Sequence, residues 1–447
     1  MKQVVSMFEW KESEESLPEH KAQQYGRIID KINSRYYFQK GQDIVTLRRD
    51  LKIQAYNYVG VLQIKDLRIQ ILPKICKGDN EEQKRACALE NMFFLLSYTK
   101  DLEIRKLNTA FFAKCNDDFF EVLIRLFLQE LEEVCKCSIP LDYVLKEDNL
   151  SFFRGKLVFN EHIKNNEAKR NKEKIYCQFD DLLLDNLLNQ TVRYTLKLLK
   201  TVSRNIGNLE KIRKMLTVYS EVSDSRIFPE DEEKIKFNKN NEAYRSIIKK
   251  CFMFIRDLSV SFKEGKAEYF ALLFDMNELF EKFIARLIAR KKEIIGIKDL
   301  EPRAQEYIGY LAHNKAGYPR VYLRPDVVFH NNKKQVELIL DTKYKRLNNE
   351  RGVSNPDVYQ MLAYGTRALC NKIILLYPRD ESKEDELCID NLNLRGQEKE
   401  KNLDEIRIFV RTVNLLVKDL KSETRNDEGL MTKELKGIFN DVLAPRS

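Results

Sequence analysis

The chain has 447 residues, 43% hydrophobic and 33% charged, which excludes a disordered protein. That length exceeds one ordinary core, so two or three domains are expected. A net charge of +9 and a pI near 8.8 favour an acidic partner such as nucleic acid, although the charge is spread along the whole chain.

No apolar run approaches the roughly 18–20 residues of a membrane span, and the opening MKQVVSMFEWKESEES has no apolar leader core. Nine cysteines without a CxxC, beside four histidines, offer no zinc cluster. Free thiols in a reducing cytoplasm are expected. Residues 21–75 read as strands, because YYFQKGQDIVTL and YNYVGVLQIKDLRIQILPKI cluster β-branched and aromatic residues around Gly-Gln-Asp and Lys-Asp turns. This gives a β-rich N-terminal domain over 1–88. From Leu89 the period turns helical, in LENMFFLLSY and DDFFEVLIRLFLQELEEVCK. The middle region, 89–240, is expected to be mostly helical, with a basic loop from Lys164 to Lys174 and a long amphipathic helix after Asp180. Residues 220–240 are polar, carry a proline and lack periodicity, so the boundary of a third domain, 241–447, is placed there. Residues 379–405 read as an insertion between the strands KIILLY and IRIFVR, and the tail after Lys421 as weakly structured.

Chemistry concentrates in YLRPDVVFHNNKKQVELILDTKY, from Tyr322 to Tyr344. RVYLRPDVVFH and QVELILDTKY read as strands, and NNKK as their hairpin turn, since asparagine tolerates positive φ. Folding that hairpin sets Asp326 across from Asp341 or within one rung of it. Alternation then points Asp341 and Lys343 to one face and Thr342 to the other. Two adjacent carboxylates repel unless a cation lies between them or one is protonated. Mg²⁺ is satisfied by one or two carboxylates with water and phosphate oxygens. A lysine beside them can orient or deprotonate water and steady a pentacovalent phosphate.

Pro-Asp, about fifteen residues, then Asp-x-Lys resembles the PD-(D/E)xK nuclease superfamily. That superfamily's core begins with a helix carrying a metal-binding glutamate. FALLFDMNELFEKFIARLIAR supplies Glu281, with Glu278 as runner-up on the same face. SNPDVYQMLAYGTRAL places Asn355 as a cap, Pro356 in the first turn, and Gln360 and Tyr364 one turn apart. The pair resembles the QxxxY motif of some of these nucleases, where it supports the lysine or the DNA backbone. The resemblance implies an αβββαβ core, with EYIGYLAHN read as an added strand or turn. Asp326, Asp341, Glu281 and Thr342 would form the metal shell, for Mg²⁺ or Mn²⁺.

YVGVLQIKDLRIQILPKI, RGKLVFNEHIKNN, QFDDLLLDNLLNQTVRYTLKLL, LILDTKYKRL and DVYQMLAYG together resemble the McrC family, over roughly Tyr56 to Pro378. These are the nuclease subunits of McrBC modification-dependent restriction systems. The resemblance implies an α+β multidomain chain with a β-rich N-terminal part and a C-terminal PD-(D/E)xK domain. It also implies a cytoplasmic, Mg²⁺-dependent endonuclease whose N-terminal part docks in and stimulates a hexameric AAA+ GTPase, McrB. The partner would read modified cytosine, such as 5-methylcytosine, in double-stranded DNA. This chain would bind no nucleotide itself, and it has no GxxxxGK[ST] loop. Arg154 and Lys156 in FRGKL are candidates for stimulating the GTPase as a charge clamp, or else ordinary surface charges. The alternative is a free-standing DNA repair or recombination nuclease of the same superfamily.

Overall fold

The computed structural model describes residues 3–40, 43–99, 118–137, 139–258, 262–263, 266–267, 269–345, 353–379, 392–394, 406–415 and 429–444. The chain forms two compact units, Met1–Cys115 with Leu273–Ser447, and Asn116–Leu272. This differs from the cuts expected near 88 and 240. The polar stretch 220–240 that suggested a boundary lies inside the second unit, where Val222, Ile227 and Ile235 are buried.

In the first unit the N-terminal elements are β1 (Gln3–Phe8), α1 (Glu19–Lys40), β2 (Val45–Leu47), β3 (Ile53–Ala55), β4 (Tyr58–Ile64), β5 (Leu67–Leu72) and α2 (Glu81–Ser97). β4 and β5 form the expected hairpin, and Lys65 at the turn takes the left-handed φ of 50° that two-residue hairpins favour. Every residue of both strands is buried, the polar ones included: Arg68 Nε donates to Gln63 Oε1 (2.9 Å) and Gln70 Nε2 to Ser6 Oγ (2.8 Å). β1 lies parallel to β5, with Val5 opposite Ile69. The expectation of strands throughout 21–75 is corrected by α1. Ala22, Tyr25, Ile28, Ile29 and Ile32 are buried at helical spacing. The Asn33 amide fastens α1 to the next strand, donating to Val45 O (2.7 Å) and accepting from Ile44 N (3.0 Å).

The chain re-enters this unit through β6 (Tyr269–Asp275), which completes a sheet of order β1-β5-β4-β6. Then follow α3 (Met276–Ile295), β7 (Glu301–Ala304), β8 (Gly309–His313), β9 (Pro319–Leu323), β10 (Val327–His330), β11 (Val336–Thr342), α4 (Asn355–Ala368), β12 (Lys372–Pro378), β13 (Leu392–Leu394), β14 (Ile406–Val413) and α5 (Leu430–Leu443). A six-stranded sheet runs β7-β10-β11-β12-β14-β13, parallel from β11 to β14 and antiparallel at both margins. α4 packs Met361 and Tyr364 into a core with Ile339, Ile373, Leu375 and Val410.

Four expectations for this region change. Arg324-Pro325-Asp326 interrupts the long strand expected over 320–330, because proline cannot donate to a ladder. EYIGYLAHN forms β8, which pairs only with β9 as a separate ribbon. The strand that joins the main sheet is β7, whose polar EPRA sequence hid it. The tail contains α5, where Met431, Leu435, Phe439 and Val442 are buried and Phe439 meets Phe329 edge-on at 5.3 Å.

In the second unit, helices Phe119–Cys137, Leu187–Val202, Ile206–Val218 and Arg245–Leu258 surround a buried apolar centre. It is less helical than expected. Asp142–Leu150, Lys156–Leu157 and Ile175–Leu183 form a three-stranded sheet, and the helix placed after Asp180 begins at Leu187, capped by Asn186. Residues 163–167 of the basic segment form a helical turn in which Asn166 is buried, bonded to Asn149 and His162.

Candidate active site

The β10–β11 hairpin sets the geometry. Val327 pairs with Leu340 and Val328 with Ile339, so one further step places Asp326 beside Asp341. The turn works differently from expectation: Lys334, not asparagine, takes positive φ (60°). Asn331 shapes the turn with its side chain, accepting from Lys333 N (2.9 Å) and Gln335 N (3.0 Å).

Asp326 is 9% exposed and Asp341 1% exposed. Thr342 donates to Asp326 Oδ2 twice, from its backbone N (2.7 Å) and its Oγ1 (2.6 Å). The residue alternation turns away from Asp341 therefore holds Asp326. Lys343 Nζ lies 2.5 Å from Asp341 Oδ2, yet that buried oxygen meets no partner in hydrogen-bond geometry. Lys345, two residues on, is instead 2.5 Å from Asp357 Oδ2.

Glu281, on α3, approaches through a residue that the sequence did not flag. Gln305 Nε2 donates to Glu281 Oε1 (2.6 Å) and to Asp326 Oδ1 (3.1 Å), while its backbone N donates to Asp326 O (2.9 Å). Gln305 has φ of 53° just past an edge strand, and no spacing rule marks such a position. Glu278, the runner-up, is committed to Lys282 at 2.5 Å. α3 starts under control of the N-terminal sheet: Asp275 Oδ1 caps Asn277 N (2.9 Å) and accepts from Asn57 Nδ2 (3.1 Å).

Gln360 Nε2 donates to the Tyr364 hydroxyl (2.6 Å), which donates to Arg324 O (3.3 Å). The pair thus steadies the backbone leading into Asp326 and has no bond to Lys343 in the structure. Ser354, not Asn355, is the cap of this helix.

Burial raises the proton affinity of all three carboxylates. Desolvation, then the Asp326 charge, lifts Glu281 to about 7. Desolvation also raises Asp341, with Asp326 adding to it and Lys343 opposing, and raises Asp326. Burial opposes charge on Lys343, but Asp341 outweighs it and the ammonium is held above its ordinary range. Among the described residues no three acidic, histidine or cysteine side chains form a closed metal cage. A hard divalent cation needs only one or two carboxylates beside water and phosphate oxygens. Two adjacent buried carboxylates, one with an oxygen outside any hydrogen bond, fit that demand.

Arg154 and Lys156 lie elsewhere, in the second unit. Arg154 donates to Asp180 O (3.3 Å) and Asp181 Oδ1 (3.2 Å), stacked 4.3 Å over the Phe179 ring. Lys156 is exposed on the short strand paired with Gln178.

Comparison with known proteins places this architecture. The chain is similar to a chain of the half-complex from the tetradecameric assembly of Thermococcus gammatolerans McrB AAA+ hexamers with bound McrC. Identity is 20% and the TM-score 0.72, over 99% of this chain and 100% of that one. A chain of the Thermococcus gammatolerans McrBC complex matches at 22% identity and a TM-score of 0.51, over 65% of this chain and 88% of that one. At such identities the likeness shows the fold, a mixed α/β one. No curated protein matches. Residues 53–378, most of the chain, match the family model described as the McrBC 5-methylcytosine restriction system component. The chain belongs to that family.

Proposed function

We propose that the chain is the Mg²⁺-dependent endonuclease subunit of a modification-dependent restriction system, which cuts DNA and docks on and stimulates an AAA+ GTPase. One observation carries the nuclease reading. Asp341 is a carboxylate buried on a core strand beside a second carboxylate, with a lysine as its close counter-charge. Such an arrangement costs folding energy and persists where function requires it. The order α3, β7, β10, β11, α4, β12 supports a PD-(D/E)xK core, with β8–β9 inserted between its first two strands.

Asp326 and Asp341, with Glu281 and Thr342 completing the set, would hold Mg²⁺ or Mn²⁺. The ion, when bound, supplies positive charge at the scissile phosphate and acidifies a water. Lys343 offers a fixed ammonium to orient that water and balance charge at the phosphate. Gln305 keeps Glu281 and Asp326 together. Gln360 and Tyr364 fix the approach of Arg324-Pro325-Asp326 through the Arg324 carbonyl.

The resemblance gives partner docking to the β-rich N-terminal part, over 1–88; the exposed surface that best suits a partner lies instead in the second unit, so docking is assigned to that unit. Its strand Asp142–Leu150 is largely exposed, and Tyr143 (70%), Leu145, Phe152, Phe153 and Phe159 (68%) stand in water. Five large apolar side chains exposed within seventeen residues suit a surface that a partner covers. The solved relative comes from McrB AAA+ hexamers with bound McrC, which supports a hexameric AAA+ protein as that partner; that it hydrolyses GTP is part of the proposal. Arg154 and Lys156 flank this surface as candidates for stimulation. Recognition of modified cytosine in double-stranded DNA falls to the partner.

The test is plasmid linearisation with chain, partner, GTP and Mg²⁺, each omitted in turn, on modified and unmodified DNA. Cutting is expected only with all four present and modified DNA. Efficient linearisation by the chain alone would favour a free-standing repair or recombination nuclease.

A further inference from the structure

We propose that the β8–β9 ribbon is the element that grips the substrate duplex beside the scissile phosphate; this rests on the nuclease reading of Asp326 and Asp341. The ribbon grows out of the site itself. Gln305, which bridges Glu281 and Asp326, precedes it, and Asp326 lies three residues beyond its end. Its feet are fastened by Ile308 N donating to Leu323 O (3.1 Å) and by α4. Tyr364 bonds Arg324 O below β9. Arg367 lies against Gly309 at the foot of β8, so closely that a Cβ there would fall 2.2 Å from Arg367 Nε, at a φ of 136°. The base is therefore packed against the helix that also steadies Asp326.

Beyond the base the ribbon stands in water. Tyr310 pairs with Tyr322 and Ala312 with Arg320, and the Tyr307 ring lies 5.9 Å from that of Tyr322, so three tyrosines gather at the foot of the ribbon. Tyr307 is 46% exposed, Tyr322 62% and Tyr318, near the tip, 68%. The tip is closed by Asn314, which accepts from Ala316 N and Tyr318 N, with Gly317 at φ 79°. Val321 has φ of 54°, a strained conformation for a β-branched residue, and pairing skips it and Leu311.

Charge selects the occupant. Lys315 at the tip, Arg320 opposite Ala312 and Arg324 at the foot are exposed, and among the described residues none is ion-paired. Arg303 on the neighbouring strand, by contrast, is paired with Glu301. Tyrosine hydroxyls and unpaired cations are the groups that position DNA backbones. A two-stranded ribbon fits the major groove, and five residues at about 3.3 Å each reach about 16 Å, enough to cross a groove about 12 Å wide. The ribbon leaves from Gln305, which is bonded to Asp326, and returns at Arg324, two residues before Asp326, so a duplex whose phosphate reaches the carboxylates lies beside it.

The experiment uses the full chain assembled with its AAA+ partner, comparing wild type with Lys315→Ala/Arg320→Ala and with Tyr318→Ala/Tyr322→Ala. Binding of a fluorescent duplex is followed against salt, together with cleavage, stimulation of the partner's nucleotide hydrolysis, and assembly size. Loss of two phosphate contacts is expected to flatten the slope of log affinity against log salt by about 1.8, at about 0.9 per contact. Cleavage should fall with it, with hydrolysis and assembly unchanged. Wild-type affinity and slope in both variants, while Asp341→Ala still abolishes cutting, overturns the ribbon assignment alone. Loss of assembly with unchanged DNA affinity overturns it in favour of a protein interface. Wild-type protein that never cuts overturns the nuclease reading beneath it.

Discussion

The Tyr344 hydroxyl donates a 2.7 Å hydrogen bond to Glu9 Oε1, joining the residue after Lys343 to the first strand's end, 335 positions earlier in the chain. Lys74 closes the arrangement. Its backbone N donates to Glu9 Oε1 (2.9 Å), its Nζ to Tyr344 O (3.5 Å), and its ammonium sits 4.3 Å over the Tyr344 ring. On the other side Phe280, beside Glu281, meets Tyr344 at 5.8 Å between centroids. The N-terminal sheet is thus part of the platform that carries Lys343.

Tyr344→Phe should therefore act on catalysis through position. It withdraws one hydrogen bond from a carboxylate that is 1% exposed, at a cost of about 1–3 kcal/mol. Denaturant unfolding should show that loss, and single-turnover cleavage should slow while DNA affinity holds. Unchanged cleavage with the expected loss of stability would make Tyr344 purely structural. A fragment beginning near Asn241 is expected to be insoluble or unfolded, since its unit includes residues 1–115.

Glu281 carries a pH signature. Its folded-state pKa of about 7 lies above the ordinary glutamate value of about 4.3. Its contribution to stability is then fully present below about pH 4 and lost as pH rises through about 7. In chelator, urea unfolding should show declining stability across that window, and Glu281→Gln should remove part of the decline. An identical pH profile in the variant would contradict the raised pKa.

The second prediction for ionisation concerns metal. Mg²⁺ or Mn²⁺ should raise the Tm of wild type by linkage, and Asp341→Asn should suppress that rise while raising the metal-free Tm, because a buried charge is removed. A metal-free variant less stable than wild type would place Asp341 in a structural ion pair instead.

For Gln360 and Tyr364 the expected effect is modest. Tyr364→Phe removes the bond to the Arg324 carbonyl, worth about 1 kcal/mol, and should slow cleavage by about fivefold to tenfold with the Mg²⁺-induced rise in Tm retained. A loss of that rise would mean the pair supports metal binding directly.

The docking assignment predicts a clean separation. Tyr143→Asp with Phe159→Asp, both on exposed positions, should depress stimulation of the partner's hydrolysis and leave the Mg²⁺-induced rise in Tm untouched. Full stimulation by that variant would remove the surface from consideration.

The site's carboxylates were readable because strand alternation and a short turn fix which residues face each other, and the register sets Asp326 beside Asp341 as alternation requires. Helical spacing puts Glu278 and Glu281 on one face without choosing between them, and only the resemblance of FEKF to the superfamily's first helix favours Glu281. Gln305, Glu9 and Lys74 were not readable, because each lies just past a strand and meets its partners through tertiary contacts that no sequence spacing encodes. β7 is short, polar and contains Pro302, so nothing in it resembles a strand. α1 was misread as strand because its tyrosines and isoleucines suit both structures, and only their spacing of three and four separates them. The tail helix lay beyond a polar stretch that concealed its own apolar face.

The most direct measurement is linearisation of a modified plasmid by the partner-assembled chain, wild type against Asp341→Ala, with Mg²⁺. Wild type should linearise the plasmid. The variant should leave it intact while still assembling with the partner and stimulating its nucleotide hydrolysis. Linearisation by Asp341→Ala at the wild-type rate would contradict the assignment of this carboxylate, and with it the site.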